Sequence, residues 1–174
     1  MDMDVEVLKN FDDLLDANYM FAKERQDAPW IEAGCFGAEK GNDFLRACLD
    51  YYKDRHFIKQ NSGFDLKPLP QVMHDVLTSN DMSLELKDWR TFTAKSFETG
   101  VESPDSSTYA IHHFAGSWKT EEERALILAE QRLSVKYGQK LGRNIAQFSD
   151  QFKKKVLLGV AQLAKEKIKR KLKK

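Results

Sequence analysis

Two stretches of this 174-residue chain carry side chains able to do chemistry. They lie far apart: Asp2-Met3-Asp4 near the start, and "TYAIHHFAGSW", residues 108–118. Asp2 and Asp4, at i and i+2 on a strand end, project from one face. Like charges that close destabilise each other unless a cation sits between or beside them, and a divalent ion with a phosphorylated ligand is the usual resolution. The competing reading is a pair of solvated acids. In the second stretch His112 and His113 are adjacent, so on a strand they point to opposite faces. At most one of them serves a given site, and the other belongs to the scaffold. Oxygen ligands with one imidazole suit Mn²⁺ or Mg²⁺ rather than a structural zinc. Ser117 can hydrogen-bond a phosphate oxygen and Trp118 can donate its indole N–H to one, although Trp118 could equally fill a core.

The elements that must position these groups follow from patterning. "MDMDVEVL" alternates acid and apolar residues, as a strand does when Val5 and Val7 face a core. "ANYMFAKE" and "WIEAGCFGAEKG" read as two further strands. The second is interrupted at Gly34 and Gly37, where glycine marks a close backbone approach or a bulge. Asn42 caps a helix over "DFLRACLDYYKDR", and "KPLPQVMHDVLTSN" gives another with Pro70 in its first turn. "TYAIHHF" is a strand entering the Gly-Ser-Trp corner. Thr120 and Glu123 form a capping box that starts a helix to about Tyr137. A hinge at 138–144 precedes a last helix whose Phe148, Phe152, Val156, Val160 and Leu163 form one apolar stripe. Strands mixed with helices indicate an α/β or α+β domain.

Hydrophobic content of 41% and charged content of 32% are those of an ordinary globular protein. No apolar run approaches the roughly 20 residues of a membrane span, and no secretory signal is visible. Cys35 and Cys48 form neither a disulfide framework nor a zinc pattern, so a reducing, cytoplasmic setting is expected. The net charge of +1 hides an asymmetry: residues 151–174 hold ten Lys/Arg against the single acid Glu166. The tail is thus strongly basic and the body acidic, and the two are read separately.

"MDMDVEVLKNFDDLL", "WIEAGCFGAEKGNDFLRACLDYY" and "YAIHHFAGSW", in that order and spacing, resemble the sugar-binding region of the family 32 glycosyltransferases. These are DXD-containing enzymes related to mannosyltransferases and to capsule and lipopolysaccharide sugar transferases. The resemblance covers Asp2 to about Trp118. It implies the C-terminal portion of a GT-A-type nucleotide-diphospho-sugar transferase fold, an α/β fold, followed by C-terminal helices. The chain then divides into a sugar-binding region over 1–118, a helical extension over 119–147 and a basic amphipathic helix over 148–174. The resemblance also implies a nucleotide-sugar donor, a glycan or lipid-linked acceptor, a Mn²⁺ or Mg²⁺ cofactor and retention of configuration. Asp2 matches the acid near the donor ribose and Asp4 matches the metal ligand. His113, in "HFAG", matches the histidine that completes the metal site, which leaves His112 to the scaffold. Gly116, Ser117 and Trp118 match positions at the donor diphosphate, and Glu32 and Gly34 match the segment under the donor sugar. In the family a nucleotide-binding part precedes the DXD strand, so the chain reads as truncated at the motif, with its activity in doubt for that reason.

Lysines around an apolar helical stripe are the pattern of an interfacial helix on anionic lipid. Residues 148–174 are therefore expected on an anionic membrane surface rather than on nucleic acid, placing the protein in the cytoplasm at the inner face of the membrane. The alternative to an enzyme is a non-catalytic remnant that binds membrane or a partner through this tail.

Overall fold

The computed structural model describes residues 1–59 and 63–171; in the last helix, side chains are described through Val160, and at Gln162 and Lys165. Among these residues the chain is mixed α/β, with four α-helices and two small antiparallel sheets. It divides into two units: Met1–Ser96 with Val101–Ala115, and Phe97–Gly100 with Gly116–Lys174.

In the first unit β1 (Val5–Val7) pairs antiparallel with β4 (Ala110–His112), in the register Val5↔His112, Glu6↔Ile111, Val7↔Ala110. β2 (Tyr19–Met20) pairs with β3 (Gly37–Ala38). The strands expected over 17–24 and 30–41 are far shorter than their patterns suggest. Beyond those pairs, only isolated bridges continue them, such as Lys23↔Ile31. The cause is local: the Glu32 carboxylate accepts the Gly34 N–H, taking a donor that a ladder would use. The glycine reading fits the packing, because a Cβ on Gly37 would lie 2.6 Å from Met20 Cε.

Helix α1 (Asp43–Tyr51) starts as expected at Asn42, whose side chain accepts from Leu45 N–H at 3.1 Å. Helix α2 (Leu69–Ser79) carries Pro70 in its first turn. The two helices supply Phe44, Cys48, Val72, Met73 and Val76 to a core completed by Phe21 and Ile31. A second cluster, Leu14, Ala22, Cys35, Phe92, Tyr109 and Ala110, lies under the β1–β4 ribbon, with Val5 packed against it.

In the second unit α3 (Glu121–Tyr137) begins with the expected capping box, Thr120 and Glu123 bonding each other's backbone N–H. The Gln131 side chain donates to the Phe97 carbonyl at 2.9 Å, which ties 97–100 to this unit. The hinge narrows to Gly138, and α4 (Gln139–Lys171) begins at once. Position 148 is therefore inside a continuous helix. The helices meet at Gly142, where a Cβ would sit 2.3 Å from the Ser134 backbone nitrogen. Ser134 and Ala146 are buried there, while Phe148, Phe152, Val156 and Val160 are exposed. The side chain of Leu163, and residues 172–174 of the expected basic tail, lie outside the described residues. No helix among the described residues is long and apolar enough to cross a membrane.

Candidate metal centre

The β1–β4 ladder brings the start of the chain against residues 110–115. His113 N–H donates to the Asp4 carbonyl at 2.9 Å, and Asp2 N–H donates to the Gly34 carbonyl at 2.7 Å. The two acids lie in the turn just before β1, because the ladder starts only at Val5. Ala115 N–H holds Asp4 Oδ2 at 2.8 Å, while Asp4 Oδ1 faces His112 Nε2 at 3.5 Å. Asp2, Asp4 and His112 each offer one ligand atom, all within 4.8 Å of one another.

The His112 imidazole is fixed from three sides. Its Nδ1 lies 3.0 Å from Oε1 of Glu32, a fully buried residue whose other oxygen accepts from Thr93 Oγ1 at 2.7 Å. A carboxylate engaged in this way only accepts, so Nδ1 carries the proton and Nε2 is the atom presented to Asp4. The Phe114 ring stacks on the imidazole at 4.3 Å. Phe114 adopts φ 54°, costly for a bulky residue, and this turn folds its ring back. On another side Gly34 is in contact: a Cβ there would lie 2.7 Å from His112 Cε1. Burial lowers the His112 pKa, but the Glu32 hydrogen bond and the charges of Glu32, Asp4 and Asp2 outweigh it, for a net rise. Nearby Glu24 is pushed up by burial, resisted by the Arg25 guanidinium and reinforced by Glu32. Acids thus outnumber cations around this imidazole.

The two histidines exchange the places expected of them. His112, not His113, faces Asp2 and Asp4, because His112 sits opposite Val5 on the core face of the ribbon. His113 turns outward, with Nε2 2.9 Å from Glu6 and Nδ1 3.6 Å from Glu102. Lys95 closes that outer cluster by pairing with Glu102 at 3.1 Å. Glu32, expected beside a donor sugar, is instead sealed in the interior with both oxygens occupied by protein donors. Gly34 is the surface against which the imidazole rests. Gly116, Ser117 and Trp118 fall in the second unit. There Trp118 is 81% exposed with Lys119 Nζ over its ring at 3.5 Å, and the Ser117 carbonyl accepts from Arg124. Sequence reasoning missed the parts played by Thr93, Phe114 and Ala115. Only Phe114 and Ala115 carried a signal, by sitting beside the histidines.

The donor set fits a divalent ion of the Mn²⁺ or Mg²⁺ kind. It has two carboxylates and one imidazole whose second nitrogen is held by a buried acid, the arrangement that orients metal-ligating histidines. With ligands at about 2.1 Å, octahedral neighbours lie about 3 Å apart and opposite ones about 4.2 Å apart. The spread of up to 4.8 Å is wider than this, so an ion there would require the ligand atoms to draw closer, and Asp2 is the exposed member of the three. Comparison of the chain with protein-family models, curated proteins and solved structures gave no match.

Proposed function

We propose that the β1–β4 ribbon carries a divalent-cation site that serves a metal-dependent glycosyltransferase of the GT-A type. The donor would be a nucleotide-sugar and the acceptor a glycan or a lipid-linked sugar. The observation that supports this reading most is the His112 imidazole. Its Nδ1 proton is committed to buried Glu32, which leaves Nε2 aimed at the Asp2 and Asp4 carboxylates. A divalent ion held there would supply Lewis-acid stabilisation to a departing diphosphate. The chain's own contribution is positional. Glu32 and Thr93 fix the imidazole tautomer, Ala115 N–H fixes one oxygen of Asp4, and the exposed Asp2 side chain would supply the third ligand. The sugar chemistry, and donor roles for Gly116, Ser117 and Trp118, rest on the family resemblance.

Mn²⁺ titration followed by electron paramagnetic resonance tests the site. The chain should bind one Mn²⁺, and Asp4→Asn or His112→Ala should weaken binding by roughly a hundredfold or more, beyond the 10–100-fold typical of outer partners. His113→Ala should leave it nearly unchanged. Loss on His113→Ala with retention on His112→Ala overturns the assignment. A panel of nucleotide-sugars added with Mn²⁺ then tests the transferase reading, which fails if none is bound or turned over.

A further inference from the structure

The second unit contains a surface that the cation site does not use. Along α4, Phe148 is 72% exposed, Phe152 61%, Val156 48% and Val160 60%. Leu141 and Ile145 extend the same face toward the helix start, also exposed. Large apolar side chains on four successive turns are exposed; of the buried α4 positions, Ala146 lies about 100° from the centre of this stripe and Gly142, nearer the helix start, about 60° from it. At about 100° per residue, the stripe from Phe148 to Val160 centres between Phe152 and Val156. Lys153 and Lys155 then fall about 80° to either side of that centre, while Lys154 is turned away and pairs with Asp150 at 2.7 Å.

We propose that this face of α4 is a membrane-docking surface that lies in the headgroup region of anionic lipid. Two features select that occupant. The first is charge: residues 151–174 hold ten cations and one acid, which complements an anionic leaflet and repels a second copy of the same helix. The second is spacing. A coiled-coil seam alternates steps of three and four; Leu141, Ile145, Phe148 and Phe152 keep that alternation, whereas from Phe148 through Phe152 and Val156 to Val160 every step is four. The stripe therefore sweeps about 120° around the helix, too broad for a seam and suited to a planar interface. Lys153 and Lys155 at its edges can extend their stems along the apolar face and keep their ammonium groups among the headgroups.

Co-sedimentation of the full chain with vesicles tests this, comparing neutral phosphatidylcholine with mixtures containing phosphatidylglycerol. Binding should rise at least tenfold with the anionic lipid. It should fall in about 1 M salt, where the Debye length is about 3 Å, yet not vanish. Phe148→Ser with Phe152→Ser should remove what salt leaves, by roughly tenfold, without changing the melting temperature. Lys153→Glu with Lys155→Glu lowers the net charge of residues 151–174 from +9 to +5, so it should weaken the preference for anionic lipid at least tenfold, and it leaves the apolar face intact should the serine variant misfold. The proposal is overturned if binding ignores lipid charge, if RNA displaces the vesicles, or if sedimentation equilibrium shows a dimer that the serine variant dissociates. A lower melting temperature in the serine variant, with lipid binding unchanged, also overturns it. None of these results depends on whether the β1–β4 ribbon binds a cation.

Discussion

In the first unit the interior is filled by Phe21, Ile31, Phe44, Val72 and Met73, and a buried carboxylate, Glu32, sits among hydrogen bonds from Thr93, Gly34 and His112. In the second, the buried positions of the helical pair include Ser134, Gly142 and Ala146, while Phe148 and Phe152 stand in water. The first unit spends its side chains on fixing a few polar atoms. The second brings two backbones together at small residues, with Leu126, Ile127 and Leu133 half-buried and Phe148, Phe152, Val156 and Val160 exposed. A buried charge is tolerated only when its partners are placed, so the first arrangement gives positional definition. Close contact through small residues gives definition to the helix axes and leaves the rest of each helix free.

Several substitutions sharpen this contrast, beginning with the most severe. Glu32→Ala strands the His112 and Thr93 donors in the interior, and breaking a buried pair in this way costs roughly 3–5 kcal/mol. Urea denaturation should show that loss, while lipid binding through α4 stays unchanged. Gly142→Ala drives a methyl group into the Ser134 and Leu133 backbone, which cannot rotate away. The cost should be about 1–3 kcal/mol, and it should leave Mn²⁺ affinity intact. Gly34→Ala does the reverse, pressing on the imidazole at 2.7 Å. The atoms met are those of two held side chains, the imidazole and the buried Glu32 carboxylate, so the stability loss should fall in the same range of about 1–3 kcal/mol. Weaker Mn²⁺ binding should accompany it.

The smallest effect is that of pH. The folded His112 pKa lies above its ordinary 6.5, because the hydrogen bond and charges of the surrounding acids outweigh burial. The associated stabilisation is fully present below about pH 6.5 and is lost as pH rises through the raised folded value. An ion competing for Nε2 has the opposite dependence, since it requires that proton to leave. Thermal melts without Mn²⁺ should therefore decline modestly from about pH 6 to about pH 8, while the shift produced by Mn²⁺ should grow over that range. Parallel behaviour of the two series would separate His112 from the ion.

How far the sequence discloses this depends on how local each signal is. Asn42 and the Thr120–Glu123 pair announce helix starts through side chains that reach only three residues, and both form as read. Alternation along a strand requires one of two adjacent histidines to face inward. Which one does is fixed by the pairing of His112 with Val5 and by Glu32, 80 residues away, so the phase is invisible along the chain. The strand patterns around Gly34 overreached because the backbone donor of Gly34 goes to a side chain. In α4 the apolar stripe is legible, but the packed face is not, since glycine and alanine at 142 and 146 carry little hydropathy signal.

The β1–β4 ribbon also has a consequence in time. Ala115 and Asp4 are 111 positions apart in sequence, so their contact closes nearly the whole first unit into a loop. Closing a loop of that length costs roughly 4 kcal/mol of chain entropy, offset by a three-residue ladder, a few side-chain bonds and the packing of Val5 and Phe11 on the cluster of Leu14, Phe92 and Tyr109. The ribbon should then zip up late in folding, after α1 and α2 have docked around Phe21 and Ile31, and be the first part of the unit to open. An ion gripped by Asp2 and Asp4 at one end of that loop and His112 at the other would act as a clasp. It would slow opening far more than it speeds closing, turning a segment that breathes into one that holds.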